Sequence, residues 1–373
     1  MSAAINAPGK LHSIQAMRGV AALLVVFFHT SSLFRLSGGP RSEAIGHFWE
    51  RGFAGVDMFF VISGFIMVYV TGEMKPSLAS AWQFFKARIT RIYPLWWVYA
   101  LLMMGYFFVT YQQPAAPDVA TGKGVLPHVL KSLFLIPQEA EPVLGLGWTL
   151  IHEMQFYILF ALGLLLPRKL LPFWLLLWAA IITGAATLGA QPMHANNYPQ
   201  LFISPLNFEF ILGAFAGLWL TRDNGRASGL FLWVGAGLFV AAMMIHLPGK
   251  ASVFNWQRVA AYGVPSAMMI LGAVWLERQG RLSVPKFLTR LGDWSYSLYL
   301  AHFLVLLALR RIWQSADGAL PEALKFGSAG MVDNLAFATI GTTLSIITAA
   351  ISYHVIERPS LKLLRGKRKA AVT

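Results

Sequence analysis

The sequence predicts an all-α integral membrane protein of about ten transmembrane helices with no appended soluble domain. Hydrophobic residues make up 57% of the 373 and charged residues only 12%, whereas a soluble domain carries about 25% charged residues. Mean hydropathy is +0.58. The few charges fall between apolar runs of roughly 18–22 residues, the length a helix needs to cross hydrocarbon.

Taken in order, the runs place spans at residues 14–34, 53–70, 92–111, 146–166, 171–190 and 205–220. Four more follow at 230–247, 257–276, 291–309 and 335–356. Residues 125–137 are apolar but too short to span, and so are expected to lie in the interface or to re-enter. Residues 112–123, with Pro, Ala and Gly, read as an irregular loop. No tandem repeat is evident. The chain therefore reads as one membrane domain, with a core at 14–359 and a basic tail at 360–373.

Net charge is +14, which in a soluble protein would suggest nucleic acid. In a multispan protein, basic loops instead fix orientation, and no nucleic-acid partner is expected. A cytoplasmic N-terminus puts 20 of the 30 Lys and Arg residues on the cytoplasmic side. Both termini are accordingly expected inside, as an even number of spans requires. Cysteine is absent, which removes disulfides and thiolate nucleophiles. A cleaved signal peptide around residues 20–28 is the alternative for the first span, but it lacks an A-x-A-like site behind the apolar stretch.

Ionisable groups inside spans are costly, and each is a functional candidate. The first span carries Arg18 and His29, eleven residues apart. Three turns separate them, so they share one face roughly 16 Å apart along the axis. The second opens GVDMFFVISGF and places Asp57 in its outer half. Ahead of the third, Arg88 and Arg91 lie three apart on one face, and the planar guanidinium fork suits phosphate oxygens. The alternative for these two is topological anchoring. The fourth begins GWTLIHEMQFY, clustering Trp148, His152, Glu153 and Tyr157. Glu153 and Tyr157 share a face, whereas the adjacent His152 and Glu153 cannot. Near the C-terminus, WSYSLYLAH contributes Ser295, Ser297, Tyr299 and His302, which alone would read as interhelical hydrogen-bonding glue. The last span ends YHVIERP, with Glu357 and Arg358.

In this order, IQAMRGVAALLVVFFH, GVDMFFVISGF, the Arg88 and Arg91 pair, WTLIHEMQFY, SYSLYLAH and the terminal ERP resemble the membrane acyltransferase-3 family. The resemblance runs from about residue 14 to residue 359 and is strongest to the subgroup that modifies exopolysaccharides. Thr149 stands where the family more often has serine, and keeps a hydroxyl. The resemblance implies a bacterial inner-membrane O-acyltransferase. Its donor would be acyl-coenzyme A, acetyl-CoA in the simplest case, and its acceptor a hydroxyl of a cell-surface polysaccharide or its lipid-linked precursor. The lipid bilayer and polysaccharide-assembly machinery would be its partners, and no metal is implied.

On that basis His29 is expected to act as general base, the task to which imidazole is matched near neutral pH, with Glu153 or Asp57 orienting it. Arg88, Arg91 and Arg18 would hold the coenzyme. Tyr299 and Ser297 are candidates for stabilising the oxyanion, and Trp148, Tyr157 and His302 are further site candidates. Direct transfer and a covalent acyl-enzyme are both compatible with these residues. A proton-coupled transporter or a flippase for a lipid-linked glycan is the competing class, although the two related halves common in transporters are not evident. A structural export subunit would need no buried carboxylates.

Overall fold

The computed structural model describes residues 9–36, 46–110, 124–190, 195–221, 228–245, 255–328 and 331–365. Among them the regular elements are all helical. The expected loop at 112–123, Arg222, Arg226 and the tail beyond Arg365 lie outside the described residues.

α1 (His12–Leu36) starts where the Glu277 carboxylate accepts from the backbone N–H of His12 at 2.7 Å and of Ser13 at 3.0 Å. An anion there satisfies amides that a helix N-terminus leaves open and opposes the positive end of its dipole. After the short α2 (Gly46–Glu50) comes α3 (Ala54–Val70), buried along most of its length. α4 (Leu78–Thr110) begins well before the expected residue 92. Its first turns carry Lys86, Arg88 and Arg91 and so fail an apolarity criterion. They are nonetheless helical, started by Ser77, whose hydroxyl accepts from the Ser80 N–H at 3.1 Å as an N-cap does. The rod continues through Pro94, which forfeits a backbone bond.

α5 (Val125–Leu133) is too short to cross. Its C-terminal carbonyls, which no helix can satisfy internally, accept from side chains of α4. Trp96 Nε1 reaches Ser132 O at 3.1 Å, Trp97 Nε1 reaches Leu133 O at 3.0 Å, and the Tyr93 hydroxyl reaches Phe134 O at 3.0 Å. α6 (Gly147–Gly163), α7 (Leu171–Thr187), the short α8 (Tyr198–Phe202), α9 (Asn207–Thr221) and α10 (Leu230–Met244) follow. α11 (Trp256–Arg278) contains a π-helical turn at Val259–Gly263. The expected ninth span divides at Trp294 into α12 (Lys286–Asp293) and α13 (Ser295–Ala316). The division accompanies a close crossing of α12 on α1, where a Cβ at Gly292 would fall on the Gln15 carbonyl. α14 (Val332–Ser352) ends in a second π-helical turn, Tyr353–Glu357, and α15 (Arg358–Arg365) closes the described chain.

Each of the ten expected segments falls on helix. Among the described residues, six helical runs are long and apolar enough to cross a membrane: His12–Leu33, Leu78–Thr110, Arg168–Thr187, Tyr198–Thr221, Trp256–Arg278 and Val332–Leu364. α3 and α10 are apolar but shorter. The outer surface is itself apolar. On α7, Phe173, Leu176, Leu177 and Ile181 are exposed along one face, which is tolerable only where the surrounding medium is hydrocarbon. The protein is a multi-pass membrane protein.

α3 is held between α1 and α9. Without a hydrophobic drive between helices in lipid, close approach through small residues supplies the packing. A Cβ at Gly64 would fall on the Phe210 carbonyl, and one at Gly213 on the Val61 carbonyl. Gly213→Ala should therefore cost about 1–3 kcal/mol by overpacking and lower the melting temperature of the purified protein. Gly237→Ala on α10, which has open space around it, should leave the temperature unchanged. Equal behaviour of the two variants would mean that α3 and α9 are not in close contact.

Candidate active site

The start of α1, the α12–α13 junction and the end of α14 meet at one end of the bundle, hereafter the termini end. Lys10 Nζ lies 2.8 Å from Asp293 Oδ2 there, and Arg91 Nη1 lies 3.3 Å from Glu357 Oε1. From that end a cavity of about 270 Å³ extends between α1, α3, α4, α6 and α13. Arg18, Arg88, Arg91, Glu153, Tyr157 and Tyr299 all line it, together with Gln15, Ser63 and Thr149. Six of the candidates thus share one space, although they come from four helices spread over most of the sequence.

The lining is cationic. Three guanidinium groups face one carboxylate, Glu153, and Glu357 behind Arg91 adds a second. Each arginine is steadied laterally. Arg18 donates to Gln15 Oε1 at 3.4 Å, the Arg88 guanidinium lies 5.7 Å from the Phe84 ring centre, and that of Arg91 lies 5.8 Å from Tyr296. Ser297 is not on the cavity. Its hydroxyl donates to Glu357 Oε2 at 2.6 Å, so it fixes the carboxylate that in turn engages Arg91. Tyr157 and Ser63 hydroxyls are 3.2 Å apart. At the far limit of the cavity, the Tyr299 hydroxyl is 2.8 Å from Thr149 Oγ1, and both can donate to the Leu146 carbonyl, at 3.2 and 3.0 Å.

His29 and His302 do not line this cavity; they sit one turn beyond it. Their link is His302 Nε2 to His29 Nδ1 at 3.1 Å. The Tyr299 ring lies 6.0 Å from the His302 ring, so this tyrosine separates the histidine pair from the cavity. The surrounding carbonyls determine the tautomers. His302 Nδ1 is 3.0 Å from Leu298 O, and His29 Nδ1 is 2.9 Å from Val25 O. A carbonyl only accepts, so each Nδ1 carries the proton. The one His29 Nδ1–H is then shared between the Val25 carbonyl and His302 Nε2, both acceptors, and His29 Nε2 is left with a lone pair. His302 is buried, whereas His29 is half-exposed.

Asp57 stands apart from this pair. Its Oδ1 accepts from Arg258 Nε at 2.6 Å, and both residues are fully buried. Glu209 is buried beside them, in space that Gly263 leaves open. The Arg258 guanidinium is enclosed by the Phe53 ring at 4.8 Å and the Trp148 ring at 5.8 Å. Asp57 and Trp148 thus belong to a cluster around Arg258 at the N-terminal ends of α3, α6, α9 and α11. The partner at hydrogen-bond distance from His29 is His302. Arg258 and Glu209 did not emerge from the motifs. Both fall inside expected spans, and an ionisable residue in a span was the signal that could have found them.

Among the described residues, no group of three or more His, Cys, Asp or Glu could hold a metal ion. The fold and cavity define a polytopic membrane protein with paired histidines beside a buried cationic chamber. The acyltransferase domain of the acyltransferase-3 family matches residues 11–354, and the chain belongs to that family. It is an acyltransferase. It is 28% identical over 388 residues to acyltransferase MdmB of Streptomyces mycarofaciens, covering 98% of this chain and 95% of that protein. It is 29% identical over 347 residues to the exopolysaccharide production protein ExoZ of Rhizobium meliloti (strain 1021), covering 88% and 96%. Nodulation protein 10 of Rhizobium leguminosarum bv. viciae is 26% identical over 386 residues, covering 96% and 95%. No solved structure matches the chain.

A structural role for Asp57 has a sharp signature. Asp57→Ala takes from buried Arg258 its hydrogen-bonded carboxylate and leaves only the neighbouring Glu209, a loss of up to about 3–5 kcal/mol for such pairs. The variant should unfold at a markedly lower temperature in detergent. Asp57→Ala combined with Arg258→Met and Glu209→Gln should recover most of the loss, because no orphaned charge is left. A stable but inactive Asp57→Ala single variant would instead place Asp57 in the chemistry.

Proposed function

We propose that the protein is an inner-membrane O-acyltransferase. It moves an acyl group, acetyl in the simplest case, from acyl-coenzyme A to a hydroxyl of a cell-surface polysaccharide or its lipid-linked precursor. The observation that carries this reading is the cationic cavity ending one helical turn from the histidine pair. The similarity to an exopolysaccharide production protein supports a glycan acceptor. The excess of basic residues on one side supports cytoplasmic termini, with the termini end as the donor side.

In this scheme the phosphorylated coenzyme enters among Arg18, Arg88 and Arg91, and the thioester comes to rest near Tyr299 and Thr149. The acceptor hydroxyl approaches from the far side toward His29. His29 Nε2 takes the hydroxyl proton as the oxygen attacks the thioester carbonyl carbon. The imidazolium that forms keeps donating through Nδ1 to His302 Nε2, which holds the ring in place and disperses its charge. The Tyr299 hydroxyl, rotating from its bond to Thr149, is the nearest donor to the developing oxyanion. When the carbon–sulfur bond breaks, the thiolate leaves and the His29 proton neutralises it. Glu153, on the cavity rather than beside His29, balances the arginines.

The purified protein should consume acetyl-CoA and release free thiol when supplied with a glycan acceptor; a transporter would release none. His29→Gln keeps a hydrogen-bonding group while removing the base, so turnover should fall by roughly a hundred- to ten-thousand-fold at unchanged protein level. His29→Gln with parental turnover would show that the histidine pair only packs the helices.

Arg91→Lys keeps the charge but loses the fork. It should raise the apparent KM for acetyl-CoA with little change in kcat. Glu357→Gln should do the same less severely, because Gln still accepts from Ser297 but no longer neutralises and orients Arg91. Parental KM values in both variants would move the phosphate site away from α4.

A further inference from the structure

Outside the transfer cavity, at the termini end, lies a second and more open basin of about 500 Å³. Its floor is the face of α12 that carries Lys286, Thr289, Arg290 and Asp293, and its walls are Lys10, His12 and Glu277. The charges of this basin are not equivalent. Glu277 is committed to the start of α1, where it accepts from two backbone amides and the Ser13 hydroxyl. Asp293 is committed to Lys10. Lys286 and Arg290 make no ion pair among the described residues, and both are exposed. The basin therefore presents two uncommitted cations one helical turn apart, with its carboxylates already engaged.

Its position matters as much as its charge. The two cavities meet at the same junction. His12 lines the basin and Gln15, one turn on, lines the transfer cavity; Asp293 lines the basin and Ser295, two residues on, lines the cavity. From Lys286 to Tyr299 the backbone advances at most about 20 Å at the helical rise. A ligand that is long, narrow and phosphorylated at its far end would bridge the two spaces.

We propose that the Lys286–Arg290 basin is a phosphate subsite that holds the nucleotide 3′-phosphate of the acyl-CoA donor while its thioester arm lies in the transfer cavity. This deepens, and rests on, the acyl-CoA reading given above. An anionic lipid headgroup offers the same phosphate chemistry, and the test separates the two.

The test uses the full-length protein with Lys286→Gln and Arg290→Gln combined, assayed with acetyl-CoA and with acetyl-3′-dephospho-CoA. Both side chains are exposed, so the double variant should be as abundant and as stable as the parent. With acetyl-CoA its apparent KM should rise on the order of tenfold or more, the scale of lost hydrogen bonds to a charged group, with kcat unchanged. With the dephospho donor the parent should already show the raised KM, and the variant should add little. A double variant with parental KM for acetyl-CoA, while Arg91→Lys remains impaired, overturns the subsite and leaves the acyl-CoA reading standing. A parent protein that neither binds nor consumes acetyl-CoA overturns both. The assay is repeated in nanodiscs of neutral lipid and of neutral lipid with phosphatidylglycerol. A defect confined to the phosphatidylglycerol discs assigns the basin to lipid headgroups and overturns the donor subsite.

Discussion

Charge compensation inside a low-dielectric bundle is the constraint on which this structure depends. A guanidinium or carboxylate in hydrocarbon has no water to turn to, so it must find its counterion on another helix. Two such pairs organise the molecule. Near the N-terminal ends of their helices Asp57 of α3 meets Arg258 of α11, and at the termini end Arg91 of α4 meets Glu357 beyond α14. Each pair joins segments far apart in sequence. Between them the close crossing of α3 and α9 through Gly64 and Gly213 sets the spacing. The cavity lined by Arg18, Arg88, Arg91 and Glu153 is the space left between these fixed points.

Both pairs also involve a π-helical turn. Arg258 directly precedes Val259–Gly263, and Glu357 is the last residue of Tyr353–Glu357. An extra residue in a helical turn shifts the side chains that follow around the axis, and such turns recur at functional sites. In the second case the consequence can be traced. The shift accompanies a Glu357 that reaches both Arg91 and Ser297, while the adjacent Arg358 stays exposed. One turn thus separates a buried counterion from a surface charge at neighbouring positions in the sequence.

Much of this was legible in the sequence. Apolar run length located helix at all ten expected segments, because bilayer thickness acts on each run independently of its neighbours. The co-facing of Glu153 with Tyr157 followed from helical spacing alone, and both line the cavity. Three kinds of feature were not legible. The early start of α4 was hidden because its first turns are basic and helix formation there does not depend on apolarity. The break at Trp294 depends on the contact of Gly292 with α1, a tertiary event. The partner of His29 depends on which helix packs against α1, and nothing local distinguishes His302 from Glu153 or Asp57 for that position. Periodicity places a side chain on a face, but the identity of the facing helix is a property of the whole bundle.

That distinction bears on how the site divides its work. The cavity is lined by three guanidinium groups and the Glu153 carboxylate, with Glu357 behind Arg91, so its lining carries more cationic than anionic side chains. A buried chamber lined mainly by cations is more favourable around an anion than when empty, which under the proposed function gives a phosphorylated donor a reason to enter. The histidine pair has the opposite character. Among the described residues, the Val25 carbonyl and a second imidazole, with no ionic side chain, lie at hydrogen-bond distance from His29 Nδ1. If His29 is the base proposed above, placing a cationic chamber directly against it would make protonating it harder. Tyr299 and Thr149 stand between the two, as neutral dipoles able to serve either side. The separation of His29 from the arginines, by about three helical turns along α1 from Arg18, therefore follows from electrostatics as well as from the length of the substrate.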